Sequence, residues 1–209
     1  MDKQIMVNRF FGLTMTKKIL KSVSLFYISI YIPIVFISYL PYWMQINCHW
    51  HSRCAIVGNE IAFQGIEELV RYFQHRDKLK MRLWSVKERQ HLSEVRGFLE
   101  AGLGVFLISV LTLFSLRHQW DLRSTIRINL IVLACSTIIL PFFPFFWRDV
   151  FHPLLFGNQL WMNTRGDFSY YLMPRSFFKT SFVLMIIFSC SLHLVIRIFC
   201  RTSKKTFQI

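Results

Sequence analysis

Apolar residues gather in four long stretches, about 23–43, 98–116, 128–147 and 181–199. Each approaches the roughly 20 residues that a helix needs to cross a hydrocarbon core about 30 Å thick. The second is broken only by Glu100, the first carries Pro33, the third has Pro141 and Pro144 near its end, and the fourth carries His193. Proline is tolerated in such helices because neighbours can satisfy the carbonyl it frees. The pattern predicts an integral membrane protein, mainly α, with four transmembrane helices and a small extracytoplasmic part. We expect a single membrane domain over 1–209, with long loops at about 44–96 and 148–180.

Polar patterning inside those loops predicts further elements. Over 59–75, Ile66, Leu69, Val70 and Phe73 recur at helical spacing, which predicts a short amphipathic helix. Ser85-Val86-Lys87-Glu88 fits a capping box, so a helix should start there and run into the second span without a break. Residues 156–172 hold Asn163-Thr164-Arg165-Gly166-Asp167 between aromatic-rich stretches, and a short hairpin is expected there. The first span is too long for a signal peptide and lacks a small-residue cleavage site, so it reads as a retained anchor.

Composition agrees with a bilayer. The chain is 54% hydrophobic and 17% charged, with 22 phenylalanines, leaving too little polar surface to cover a soluble domain. Its net charge of +14 does not indicate nucleic acid, because the charges sit between apolar stretches rather than in one basic stripe. Lys3, Arg9, Lys17, Lys18, Lys21, Arg117, Arg123, Arg127, Arg197, Arg201, Lys204 and Lys205 flank one side of the four stretches, against Asp2 and Asp121 alone. The positive-inside rule therefore puts both termini in the cytoplasm and both long loops outside.

Candidate chemistry lies in the loops. His118 reads as a solvated loop residue, His75 as the solvated end of the amphipathic segment, and His193 as a helix-packing residue. His91 falls about two turns before the second apolar stretch, with Glu88 and Glu94 three residues to either side on the same face. A carboxylate there can orient the imidazole and fix its tautomer. His152 directly follows the third stretch. The topology brings both histidines to one interface, as a catalytic pair or as ordinary interfacial residues. Cys135, Cys190 and Cys200 lie in apolar runs and read as small hydrophobes. Cys48-His49-Trp50-His51-Ser52-Arg53-Cys54 offers a disulfide, a Zn or Cu(I) site, or an incidental loop. No serine-hydrolase elbow, phosphate loop or HExxH is present.

The loop residues also resemble a known family. Asn59-Glu60, Glu67-Glu68-Leu69-Val70, Tyr72, Glu88, His91-Leu92 and Val95-Arg96 resemble the lipoprotein intramolecular transacylase family. So do Phe151-His152, Phe156-Gly157-Asn158, Trp161, Asp167, Leu172-Met173-Pro174 and Phe177-Phe178. The similarity covers about residues 20–200. Two positions depart from the family pattern: Glu94 replaces an aspartate and keeps its charge, and Arg175 reverses the charge of a common glutamate.

The resemblance implies an enzyme of the bacterial cell membrane that moves the sn-2 acyl chain of a diacylglyceryl-modified lipoprotein from glycerol to the α-amine of the N-terminal cysteine. Such a transfer needs no cofactor or metal, but it needs a base for the amine and a donor for the oxyanion. On this reading His152 is the base and His91 the acid or oxyanion donor. Glu94 and Asp149 orient them, Arg96 and Arg148 contact headgroups, and Asn158, Trp161 and Asp167 shape the substrate wall. The partners implied are the lipoprotein and membrane lipid, and a monomer is expected. The alternative is a non-enzymatic membrane protein that binds or passes copper or zinc through Cys48, His49, His51 and Cys54.

Overall fold

A computed structural model of the chain describes residues 3–117 and 122–206, with side chains over 15–117 and 122–199. The expectations for Asp2, His118, Asp121 and the Cys200 side chain lie outside the described residues. The long helices are α1 (Lys3–Tyr39), α5 (Val86–Ser115), α6 (Leu122–Ser136) and α10 (Arg175–Thr206). Between them lie α2 (Tyr42–Trp50), α3 (Arg53–Val57), α4 (Asn59–Phe73), α7 (Phe143–Phe145), α8 (His152–Leu155) and α9 (Ser169–Leu172). Among the described residues, four stretches are long and apolar enough to cross a membrane: Met15–Tyr39, Val86–Ser115, Leu122–Ile139 and Arg175–Phe199. Leu107, Leu111 and Phe114 on α5 are 54%, 64% and 64% exposed, which suits a helix whose outer surface faces hydrocarbon.

Prolines move two of the expected boundaries. The first span stops at Tyr39 rather than near residue 43, because Pro41 disfavours helical geometry at Leu40 and has no N–H to continue the ladder. The third starts earlier, at Leu122, and ends at Ile139. Pro141 and Pro144 break the run that sequence alone carried to residue 147.

The chain divides into two compact units. The first comprises Met1–Tyr31, Gly102–Thr137 and Ile186–Ile209. Polar side chains tie its helices together. Asn129 Nδ2 donates to the Ser22 carbonyl at 3.1 Å and to His193 Nε2 at 3.0 Å, and Asn129 Oδ1 accepts from the Ser22 hydroxyl at 2.7 Å. Pro33 cannot donate to the carbonyl of Ser29 four residues earlier; Ser189 Oγ of α10 does so instead, at 2.9 Å. α1 and α5 meet at Gly102, where an added Cβ would lie 2.7 Å from the Tyr31 ring. The Tyr27 hydroxyl donates to the Gly102 carbonyl at 2.9 Å.

The second unit comprises Ile32–Ala101 and Ile138–Met185. The amphipathic helix predicted over 59–75 is α4, whose Ala62, Ile66 and Leu69 are fully buried in one core with Met44, Cys54, Trp84 and Leu172. Gly65 faces the Phe168 ring so closely that no Cβ fits. The predicted capping box also forms. Ser85 N–H donates to Glu88 Oε2 at 2.9 Å, and Glu88 N–H to Ser85 Oγ at 3.3 Å.

Glu88 does more than cap. Its Oε1 accepts from the N–H and the hydroxyl of Ser169, both at 2.6 Å, which fixes the start of α9 against the start of α5. Asp167, two residues earlier, accepts from Lys87 Nζ at 3.0 Å and from the Thr164 N–H and hydroxyl at 2.7 and 2.9 Å. Residues 156–172 therefore form turns ending in α9, and no strand occurs among the described residues, in place of the hairpin expected there. Side-chain acceptors satisfy this backbone, so it needs no ladder partner.

Candidate active site

The second unit brings His91 and His152 together, with ring centroids 6.4 Å apart. His91 lies on α5, one and a half turns after its cap. His152 begins α8 at the end of a π-helical turn, Phe146–Phe151. In a π turn the backbone bond spans five residues, so the Trp147 carbonyl sits opposite residue 152. That oxygen accepts the His152 N–H and lies 2.6 Å from His152 Nδ1. A carbonyl only accepts, so Nδ1 carries the proton and Nε2 holds the lone pair.

His91 is held in the same way. Its Nδ1 lies 3.4 Å from Glu94 Oε2, the i,i+3 partner expected from sequence. Glu94 is itself fixed, because its Oε1 accepts from Asn158 Nδ2 at 2.7 Å. The Asn158 carbonyl accepts from Trp161 Nε1 at 2.9 Å, and the Trp161 ring lies 4.3 Å from that of His152, centroid to centroid. Asn158 thus joins the partner of one histidine to the aromatic cover of the other. Phe156 closes the gap between them, 4.7 Å from His91 and 5.7 Å from His152.

His152 is buried at 6% exposure, with Trp147 edge-on at 4.6 Å. Burial pushes its pKa below the ordinary histidine value, against the Trp147 carbonyl, which raises it; His91 lowers it further. His152 is therefore neutral at neutral pH, as a base must be.

The remaining sequence candidates take other places. Asp149 pairs with its neighbour Arg148, at 3.0 Å, rather than with a histidine. Arg96 stacks over the Tyr72 ring at 4.4 Å and pairs with Glu100 at 3.4 Å. Asp167 is buried and bound by Lys87 and Thr164 rather than by a histidine. Burial raises its pKa, but the bonds from the Thr164 N–H, Lys87 and the Thr164 hydroxyl outweigh this and hold it below the usual carboxylate range. Of the other histidines, His75 pairs with Glu100 at 2.9 Å and His49 packs edge-on against Phe63. Trp147 was missed as a partner because a 147/152 contact has no signature in an α-helical reading; the π turn creates it.

Residues 18–178 match the family profile described as lipoprotein intramolecular transacylase Lit. The chain belongs to the lipoprotein intramolecular transacylase family. Solved structures agree on the fold. The membrane-integral Lit from Bacillus cereus superposes with a TM-score of 0.81 at 14% identity, over 94% of this chain and 98% of that one. Variants of that protein with one histidine changed to arginine or to alanine give TM-scores of 0.72 and 0.70 at 16% identity, each over 97% of this chain. They cover 98% and 100% of their own chains. No curated protein sequence matches.

Family membership overturns the non-enzymatic metal-carrier reading. So does the chemistry of the Cys/His run, where Cys48 and Cys54 form a disulfide with Cα atoms 5.5 Å apart. A disulfide sulfur is not a thiolate ligand. The chain is a multi-pass membrane acyltransferase that acts within lipoproteins.

Proposed function

We propose that this chain moves the sn-2 acyl chain of a diacylglyceryl-modified lipoprotein from the glycerol oxygen to the α-amine of the N-terminal cysteine, leaving a lyso-form lipoprotein. The observation that carries the proposal is the paired histidines, each with Nδ1 committed to an acceptor. Both Nε2 atoms are left for a reacting group.

The chemistry needs a proton acceptor for the amine and a proton donor for the glycerol oxygen. A free α-amine has a pKa of about 7.7–8.0, so it must lose a proton as it attacks. His152, buried among aromatic rings with no carboxylate partner, takes that proton at Nε2. His91 has the Glu94 carboxylate to stabilise a charged ring. It donates from Nε2 to the oxyanion and then to the departing glycerol oxygen. The N–C bond forms, the ester C–O bond breaks, His152 gains the amine proton and His91 gives one to the glycerol oxygen; passage of a proton from His152 back to His91 resets the pair.

Placement in the bilayer supports the same reading. The short loop and both termini carry the excess of Lys and Arg, so they belong in the cytoplasm, and the second unit's loops face outward. A lipoprotein whose acyl chains lie in the outer leaflet would present its ester and amine there. Expression of H91A and H152A in a host lacking this activity, followed by mass spectrometry of lipoprotein N-terminal peptides, tests the assignment. Both variants should leave the diacylglyceryl form unconverted. Normal conversion by either removes that histidine from the mechanism.

A further inference from the structure

Both histidines of the site are covered. His152 is 6% exposed and the His91 side chain 13%. An amine must come within about 3 Å of its base, and the glycerol oxygen within similar reach of its donor, so something has to move before a substrate enters. The cover over His152 is the Trp161 ring. Trp161 belongs to residues 157–163, which contain no helix or strand and no buried residue. Both ends of this segment are rooted. Phe156 precedes it and is buried, and Thr164 follows it with its N–H and hydroxyl bound to Asp167. Gly157, the first residue, is exposed, and a Cβ placed there would meet nothing within 4 Å, so rotation at this end is unobstructed.

The segment holds its own shape but is only lightly tied down. Within it the Leu160 N–H donates to Asn158 Oδ1 at 3.0 Å, the Met162 N–H to the Gln159 carbonyl at 3.1 Å, and Trp161 Nε1 to the Asn158 carbonyl at 2.9 Å. Two clasps fasten it to α5, one on each side of His91. Asn158 Nδ2 donates to Glu94 Oε1 at 2.7 Å, and Lys87 Nζ donates to the Met162 carbonyl. Glu94 and Lys87 are both partly exposed, so water can replace either clasp at small cost.

We propose that residues 157–163 form a strap that lifts to admit the substrate and closes to keep water from the ester, so that the acyl chain passes to the amine and not to water. The strap's role rests on the transacylation proposed above. A base that takes a proton from an amine can also take one from water. In that side reaction the water oxygen bonds the acyl carbon and the ester C–O bond breaks. His152 gains a water proton, His91 gives one to the glycerol oxygen, and a free fatty acid leaves. Closing a site over its substrate removes this competitor. Closure also seats His91, because Glu94 faces His91 with one oxygen and Asn158 of the strap with the other.

The test uses full-length purified protein in detergent with two synthetic diacylglyceryl-cysteinyl peptides in ¹⁸O-water. One has a free α-amine and the other is N-acetylated, so that water is its only acceptor. Wild type should convert the first to the N-acyl form and release fatty acid from the second at less than about one hundredth of that rate. K87M opens one clasp. It should still convert the free amine, more slowly, and release ¹⁸O-labelled fatty acid from the N-acetylated peptide at least about tenfold faster than wild type. Hydrogen exchange read by mass spectrometry should quicken over 157–163 in K87M and stay unchanged in α10. W161A removes the cover without touching either clasp and should leak as well, which decides the matter if K87M does not fold.

The strap is overturned if K87M and W161A convert the free amine yet release no more fatty acid than wild type, or if wild type itself hydrolyses the N-acetylated peptide as fast as it converts the other. A wild type that leaves the free-amine peptide unconverted overturns the transacylation reading itself, and the strap's role with it.

Discussion

His193 and His152 are both buried, at 0% and 6% exposure, and both use Nδ1 to bond a backbone carbonyl. They differ at the other nitrogen. In the first unit His193 Nδ1 donates to the Ser189 carbonyl at 2.7 Å, and Nε2 accepts from Asn129, which is itself held by Ser22. Nothing is left over, so the ring fastens α6 and α1 to α10. In the second unit His152 Nδ1 is bound to the Trp147 carbonyl, and aromatic rings rather than donors surround the rest of the imidazole. The lesson is that burial alone does not mark a catalytic histidine. A fully satisfied ring is structure, and a half-satisfied ring, fixed in one tautomer, is chemistry held ready.

The sharpest way to break that contrast is to remove each ring. H152A should lower the conversion rate by about 10²–10⁴, the usual worth of a positioned general base, with little change in thermal unfolding. H193A should do the opposite: near-normal conversion per folded molecule, and a lower unfolding temperature. Lipoprotein mass spectrometry and thermal unfolding in detergent read the two effects separately. A large rate loss in H193A at unchanged stability would dissolve the distinction.

Asn158 tests whether the seating of His91 through Glu94 matters to the rate. Its side-chain amide holds Glu94, while its backbone carbonyl holds Trp161. N158A therefore frees Glu94 and leaves the Trp161 bond in place, and small misplacements at a reacting centre are costly, so the rate should fall about 10–100-fold. The fall should appear in kcat more than in KM, because Asn158 is a positioning residue. A change confined to KM would return Asn158 to the substrate wall.

Asn129 plays the matching part in the first unit. N129A leaves His193 Nε2 and the Ser22 hydroxyl without their partner, which should cost about 1–3 kcal/mol of stability. Conversion by the folded fraction should be unchanged. A stability change indistinguishable from zero in thermal unfolding would mean that other groups take over these bonds.

How much of this was legible before the coordinates follows from how local each feature is. The four apolar stretches, the capping box at Ser85 and Glu88, the α4 face and the His91–Glu94 pair are short-range patterns, and each appears in the structure. The span ends were misjudged where Pro41 and Pro141 outweighed hydropathy. The π turn that seats His152 and the clasp from Asn158 to Glu94, 64 residues apart, could not be read. A π turn depends on which carbonyl wins a partner, and the clasp depends on loop geometry that no spacing rule encodes. For the same reason Arg96, Arg148, Asp149 and Asp167 were grouped with the histidines on type and proximity in sequence, yet bond to other partners.

Acidity offers a gentler probe. The folded pKa of His152 lies below the ordinary value of about 6.5, so the unfolded chain binds its proton first as pH falls. Stability linked to this group is fully present above pH 6.5 and declines as pH falls from there toward the folded pKa. The His152 imidazole, titrated by NMR in the substrate-free protein, should likewise show a pKa below about 6.5. F156A and W161A each thin the apolar cover, so each should move that pKa back toward about 6.5. A value above about 6.5 in the wild type would contradict a ring buried among these aromatics.

The smallest effect is expected at Arg148. Sequence placed it next to His152 as a headgroup contact, but its guanidinium is bound by Asp149 Oδ1 and Oδ2, at 3.0 to 3.2 Å, on an exposed surface. The Asp149 bonds, and then its charge, raise the Arg148 pKa further, so the group is always charged and already paired. An exposed pair of this kind contributes little and is screened by salt. R148A should therefore change conversion by less than about twofold, in low and moderate salt alike. A larger loss that also grows as anionic lipid is added would show that the lipid competes Asp149 away during turnover. The contrast would then need a third class of residue, one that is satisfied at rest and recruited only when substrate arrives.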